Sequence, residues 1–549
     1  MKLRYKNYFL GLAFWGLTIT YSCDQKLDLY PEDKLTDAVF WLNATHVRDA
    51  CNYLYSFVPA IETNLTYENY ADDGVPSGSF NQISDGSRLA PGGDTDWNSN
   101  YGLIRNCNNI LEKSAGITGQ AGVDRYRGEA YFFRAWANFE LVKRFGDVPL
   151  ILQTFDVFDT LTVAHRTNRE IVLDAAYADL DNAIASLPDV SNLPAAEYGR
   201  VTSGAALALK ARIGLFEGTR NKFHSKGDAA KHLNIAVNAS ETLMNSAKYA
   251  LYKYTQNPDL SYYYLFQYQG EGSANKENIF VRLYGVNNTN NLSSHYFLAS
   301  SQGGSCPTRA LADAYRYVDG LPMDKSPYFK KQKTTLTEFE NRDLRMEATI
   351  YNKKYNYTGG NWIPSFVFWK SGYSFRKYVI PEDYSIAKSF VDNIVMRYGE
   401  VLLTYAEAKF ELNGSISDAD LNKSINLIRA RAKMPALTNS FVTSNGLDMR
   451  TEIRTERRVE LAMEGGHRYW DLIRWKMAET ELPKSILGSK LFPKEQPNTA
   501  GLKLALTADS MVVVQDASKR SFDPGRDYLW PLPTTDLGLN PNLTQNPKW

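Results

Sequence analysis

Apolar and small residues recur at helical spacing along much of the chain. Thr167-x-x-Glu170 has the form of a capping box, and apolar positions follow at Ile171, Ala175, Ala178 and Ala185 up to Leu187-Pro188. A hydroxyl followed three residues later by a carboxylate satisfies the free amides at a helix start, and proline ends the run. Ser417-x-x-Asp420 opens a second such run through Leu421, Ile425 and Ile428. Three further segments, 130–146, 205–218 and 398–414, mix alanines with large side chains, and each ends at a glycine suited to the left-handed helix terminus. A more polar helix is expected after each. Small residues on one face let helices approach closely, so the pattern predicts pairs like tetratricopeptide units, with an ordinary helical bundle as the other reading. Long irregular stretches interrupt the helices at 62–98, 262–309 and 351–384, all rich in aromatic residues. Loops of that length inside a compact domain are functional or disordered, and aromatic content argues for order. Alternation from Lys503 to Val514, turning at Ala508-Asp509, predicts a hairpin. The predicted fold class is mainly α: tetratricopeptide-like helical pairs with long irregular insertions and one small β-hairpin.

The N-terminus has its own pattern. Lys2, Arg4 and Lys6 precede an apolar stretch of 12 residues from Tyr8 to Ile19, which is the form of a secretory signal and too short to span a bilayer. Ser22-Cys23 then reads as a bacterial lipoprotein cleavage site, although Thr20 and Tyr21 depart from the usual Leu-small pattern. Residues 1–22 are the expected signal peptide and Cys23 the expected point of lipid attachment. Anchoring by more than one acyl chain is stable where one chain is marginal.

Composition narrows the chemistry. The 549 residues carry a formal charge of +1, and without the three leader cations the balance is 59 basic to 61 acidic residues. No long basic run is present, so electrostatic binding of nucleic acid or of an anionic lipid surface is not indicated. Cys23, Cys51, Cys107 and Cys306 form no CxxC pair, and lipidation of the first leaves an odd number. HExxH, GxSxG and GxxxxGK[ST] are absent, and the six histidines show no metal-ligand spacing. Glu456, Glu460 and Glu464 share one helix face, with Arg457, Arg458 and Arg468 nearby. They form either a salt-bridged network between helices or, if two carboxylates flank a cleft, the acid–base pair of a glycosidase. No cofactor is expected. Asp72-Asp73 and Asp94-x-Asp96 offer carboxylates that suit Ca²⁺, at a commonplace spacing.

A family resemblance emerges from ordered motifs. Gly128-Glu129-Ala130-x-x-Phe133-Arg134-Ala135, Phe145-Gly146-Asp147-Val148-Pro149 and Trp97-x-x-x-Tyr101-x-x-Ile104 come first. Asn341-Arg342-Asp343-x-Arg345 follows, with Leu344 in place of a proline, and then Ser371-Gly372-Tyr373 and Arg376-Lys377-Tyr378. Arg397-Tyr398-x-Glu400-Val401 leads to Glu456-Arg457-Arg458-x-Glu460-Leu461-x-x-Glu464-Gly465, an extra Gly466, His467-Arg468 and Trp470-Asp471-Leu472-x-Arg474-Trp475. The chain closes on Leu529-Trp530-Pro531-Leu532-Pro533 and Gln545-Asn546-Pro547-Lys548-Trp549. In this order the motifs resemble the SusD/RagB family from Cys23 to Trp549.

The resemblance implies a helical fold with four tetratricopeptide-like units, an N-terminal region 23–220 and a C-terminal region 221–549 forming one compact unit. It implies a surface-exposed lipoprotein of an outer membrane, without enzymatic activity, that binds a glycan and caps a SusC-like TonB-dependent barrel. The family's starch-binding member contacts glucan through a Trp and an Asn three residues later, a spacing matched by Trp97 and Asn100. Trp97 is then either a stacking platform or a packed member of its WxxxY motif. Loop position adds Tyr70, Tyr284, Tyr296 and Trp362 as candidates, since a flat aromatic ring covers the C–H face of a sugar. A peptide-binding protein of the RagB type and a surface glycosidase are the alternative readings.

Overall fold

The computed structural model describes residues 40–117, 119–285, 304–355, 360–386, 389–496, 499 and 501–549. Long helices build the frame: α1 (Ala44–Leu54), α2 (Ile61–Glu68), α3 (Thr95–Ser114), α4 (Val123–Phe145), α5 (Arg169–Ser186), α6 (Ser203–His224), α7 (Ala229–Asn245) and α8 (Tyr398–Asn413). Further helices follow: α9 (Asp418–Asn422), α10 (Ile425–Arg431), α11 (Met449–Glu460) and α12 (His467–Arg474). Successive helices pack as neighbours, α3 on α4, α4 on α5 and α6 on α7, and α8 closes against both α6 and α7. The expected paired, mainly helical architecture is what the chain adopts.

The close packing has a backbone cause. A Cβ on Gly214 of α6 would stand 2.7 Å from the carbonyl oxygen of His232 on α7, and one on Gly218 would stand 2.7 Å from Leu233 Cγ. These glycines let the two helix backbones touch. Gly218 therefore lies inside α6 rather than ending it, and Ser225, at φ 55°, takes the left-handed terminus. Gly146 and Gly414 do end α4 and α8, both at positive φ. The start of α5 also differs from expectation. Asn168 caps it through the Glu170 amide, while the Thr167 backbone pairs with Val148. The run from Ser417 begins with that residue's hydroxyl accepting from the Asp420 amide and donating to the Asp420 carboxylate, but it breaks at Ser424 into α9 and α10.

Among the described residues, three two-stranded antiparallel ladders tie the loops down: β1 (Gly74–Pro76) with β3 (Ser305–Pro307), β2 (Asn278–Arg282) with β4 (Asn393–Arg397), and β5 (Ile486–Lys490) with β6 (Met511–Gln515). The turn predicted at Ala508-Asp509 forms, with the Thr507 amide donating to the Met511 carbonyl. The main ladder partner of β6 is β5, a segment outside the predicted hairpin.

A buried ionic network joins these elements. Arg397, at the end of β4, donates to Glu277 (2.8 Å), Glu460 (2.7 Å) and Glu464 (2.6 Å). Arg345 reaches Glu460 (2.8 Å), Glu456 (2.5 Å) and Asp343 (2.6 Å). Arg429 holds Glu456, Arg431 holds Glu277 and Glu460, and Lys377 holds Glu464. The partners thus come from distant segments. The nearby arginines face elsewhere, Arg457 to Asp471 and Arg458 and Arg468 to the Asp72-Asp73 pair. Helix α11 ends at Glu460, so Glu464 lies beyond it. Burial alone would raise the Glu460 carboxyl, but Arg431, Arg397 and Arg345 outweigh burial and hold it well below the usual carboxylate range. Such a group stays ionised and does not donate protons.

Candidate functional site

The segment from Tyr70 to Asp94 is irregular yet closely held. Gly74 lets β1 lie against the end of α2, since a Cβ there would meet the Glu68 carbonyl at 3.0 Å. Asn81 caps a short helix (Gln82–Asp85) through the Ile83 amide, and Asp94 caps α3 through the Trp97 amide at 2.9 Å. The buried Arg88 guanidinium lies 5.2 Å over the Trp530 ring and 4.8 Å over the Trp549 ring, which pins the loop to the C-terminal segment. Between loop and C-terminal segment an open cleft of about 420 Å³ remains, lined by Tyr70, Phe80, Leu89, Asp94 and Trp530 among others. That volume is in the range of small-ligand sites. Lys370 sits 4.5 Å over the Phe80 ring and donates to the Gly78 carbonyl, so the segment carrying Ile363, Val367 and Phe368, all exposed, borders the same loop. Apolar faces beside polar groups on an accessible surface suit a sugar ring, which has C–H groups on its face and hydroxyls on its rim.

The sequence-predicted site residues divide. Tyr70 lines the cleft, half-buried, with its ring 6.0 Å from Trp530. Asn100 is partly exposed on the first turns of α3, and its amide donates to the Asp96 carbonyl at 2.7 Å. Trp97 is 5% exposed, wedged against Tyr101 and Phe145, and presents no ring face to a ligand. Tyr284 is 7% exposed, its hydroxyl accepting from the Ile61 amide. Trp362 is 3% exposed and packs with Tyr351 and Trp369. These three rings are core in this structure because each is covered on both faces. Tyr296 and Cys23 lie outside the described residues. Partly buried Phe80 and exposed Leu89 and Phe368 stand around the cleft in their place, and all three fall within the aromatic-rich stretches 62–98 and 351–384.

The acidic pairs considered for calcium are engaged. Asp72 accepts from Arg468 at 2.8 Å and 2.9 Å, Asp73 from Arg458, and Asp96 from Arg144 at 2.9 Å. Among the described residues no group of three or more His, Cys, Asp or Glu side chains is placed to hold a metal ion. A second open cleft, of about 600 Å³, lies between the start of α5, the end of α6 and the C-terminal tail. It is lined by Arg166, Arg169, Arg220 and Lys226 against Asp147 and Glu170, with no aromatic ring.

Comparison with known proteins agrees with this architecture. A family model described as "SusD family" matches residues 265–549, and another described as "Starch-binding associating with outer membrane" matches residues 58–215. A SusD-like protein of Formosa agariphila is 25% identical over 485 residues, which cover 85% of this chain and 91% of the relative. One of Bacteroides ovatus is 24% identical over 506 residues, covering 86% and 83%. A crystal structure of a SusD-like carbohydrate binding protein from Bacteroides fragilis matches with a TM-score of 0.79 at 25% identity, over 92% of this chain and 100% of that one. Surface glycan-binding protein A from Bacteroides fluxus shares the fold, with a TM-score of 0.62 at 19% identity over 92% and 100% of the two chains. With its first family model spanning more than half of it, this chain belongs to the SusD family.

Proposed function

We propose that this protein is a non-enzymatic glycan-binding lipoprotein of the outer-membrane surface. It captures oligosaccharides and delivers them to a SusC-like TonB-dependent barrel. The observation that carries the reading is the open cleft at Tyr70, Phe80 and Trp530, an aromatic and polar surface beside the tied-down loops of a SusD-family fold. The carbohydrate-binding description of the similar Bacteroides fragilis protein supports it. Sugar would lie on Phe80 and Tyr70, with Asp94, Asn81 and Gln82 within the same lining to meet its hydroxyls. The ionised state of Glu460 among its arginines speaks against the glycosidase reading for that cluster.

Titration calorimetry of the chain from Asp24 onward, against polysaccharides, oligosaccharides and peptides, tests this. One glycan class should bind saturably without product release. Phe80→Ala should weaken it about 2- to 12-fold, the equivalent of losing one aromatic stack of roughly 0.5–1.5 kcal/mol. Binding of peptides alone would move the protein to the peptide-uptake reading, and release of shortened sugars would make it an enzyme. The anchor is tested separately, since Cys23→Ala in the full chain should shift the protein out of the membrane fraction.

A further inference from the structure

We propose that the loop from Leu152 to Phe158 is a bilayer-contacting tip, which turns the anchored end of the molecule toward the membrane. Four apolar side chains in seven residues stand uncovered there: Phe158 is 93% exposed, Val157 79%, and Leu152 and Phe155 are also exposed. Scattered exposed apolar residues are ordinary, but a contiguous run marks an interaction surface.

The loop is held in this presentation by specific bonds. Asn108 of α3 donates to the carbonyls of Ile151 (3.2 Å) and Gln153 (3.0 Å), and Arg134 donates to that of Leu152 (3.2 Å). The Thr154 amide donates to Glu112 (2.7 Å), and the Phe158 amide to Asp156 (2.9 Å). Three carbonyls and the Thr154 amide are thus bonded to side chains of α3 and α4, while the apolar side chains stay exposed.

The position of the chain's entry selects lipid as the occupant. The loop runs along the C-terminal half of α3, at Asn108 and Glu112. Just past the end of that helix, Gln120 donates to the Leu42 carbonyl (3.0 Å) and accepts from the Ala44 amide (3.3 Å). The first described residues and the apolar tip therefore share one end of α3, and Leu42 there is itself exposed. Cys23 is 17 residues before Phe40 in the sequence. A span of that length is at most roughly 60 Å. A tip that enters the interfacial region would orient the molecule on the membrane. Asp156, Asp159 and Glu112 outnumber Lys113 around the tip, so the attraction is apolar and suits a zwitterionic surface. The inference rests on the lipid-anchor reading for its orientation.

Flotation with phosphatidylcholine vesicles tests it, using the chain from Asp24, which contains every described residue and lacks the acylated cysteine. The wild-type chain should float, and a Val157→Ser/Phe158→Ser variant should float at least about tenfold less, with an unchanged melting temperature. Raising salt to about 0.5 M should leave the difference intact. Equal flotation of the two, or none by the wild type, overturns the proposal. So does a variant that floats normally but no longer co-purifies with a barrel partner, because the tip would then be a protein contact. In the full chain the serine variant should stay in the membrane fraction through its lipid, whereas adding Cys23→Ala to that variant should release the protein, so failure of the tip and failure of the anchor give different results.

Discussion

Trp97 and Phe80 divide stability from recognition at the level of single side chains. Trp97 fills a hole between Tyr101 and Phe145. Trp97→Ala should therefore cost about 3–5 kcal/mol in chemical denaturation, the usual range for emptying an aromatic core site. Phe80→Ala should change denaturation little and sugar affinity measurably. The reverse pattern would return Trp97 to the binding face. Glu68 provides a pH-dependent counterpart. Burial, and after it the neighbouring Asp73, pushes its carboxyl up to about 8, and its Oε2 is buried without a hydrogen-bond partner. Below its ordinary value of 4.5 both folded and unfolded chains carry the proton, and the contribution to stability is complete. Between 4.5 and about 8 only the folded chain keeps the proton, so stability falls as pH rises, by at most about 1.4 kcal/mol per unit. Glu68→Gln should remove that slope. A constant stability gap between variant and wild type from pH 4.5 to 8 would mean that Glu68 is ionised throughout.

Helix contacts follow the same reasoning at the next scale. Alanine is a better helix former than glycine by about 1 kcal/mol. At Gly214, however, a methyl group would meet the His232 carbonyl at 2.7 Å and the Ala236 amide at 2.8 Å, both backbone atoms that move only with their helix. Gly214→Ala should therefore destabilise the protein by about 1–3 kcal/mol, the range for overpacking, despite the better propensity. A gain in melting temperature would show that α6 and α7 separate easily. The existence of these helices was legible in the sequence because small residues and caps report local geometry. Their ends were less so: Gly218 could be a terminus or a contact, and only its distance to Leu233 distinguishes them. The binding face was least legible. Trp369 is buried and the adjacent Phe368 exposed, and irregular backbone gives no period from which to read that difference. Tyr284 and Trp362, marked by loop position, are buried in this way, whereas Trp97, marked by its spacing to Asn100, is a buried residue of the first turn of α3. Among the described residues of the aromatic stretches the rings of Tyr262, Trp362, Trp369 and Tyr373 are buried, and order in a loop comes from burying some of its rings.

Across the whole molecule, the network around Glu460 joins Glu277 just before β2, β4, α10, α11 and the Arg345 segment, which are far apart in the chain. Glu460→Gln leaves three arginines short of one buried charge and should cost about 3–5 kcal/mol in denaturation midpoint, with sugar affinity retained. Loss of affinity at unchanged stability would give this cluster a functional role. The N-terminal region is joined to the C-terminal region in the same way, through Arg458 and Arg468 on Asp72 and Asp73 and through Arg88 between Trp530 and Trp549. The loops of the cleft are thus mounted on a frame that both regions build.

A ring of alternating buried charges also has a kinetic side. Each half-made version leaves an ion stranded away from water, so partially assembled chains are penalised until the last strand and helix arrive. Unfolding from the finished state has to break the whole ring at once, which slows it out of proportion to the equilibrium stability. At the proposed surface location, beyond the reach of energy-driven chaperones, such a lock gives a lifetime set by the unfolding barrier rather than by repeated repair.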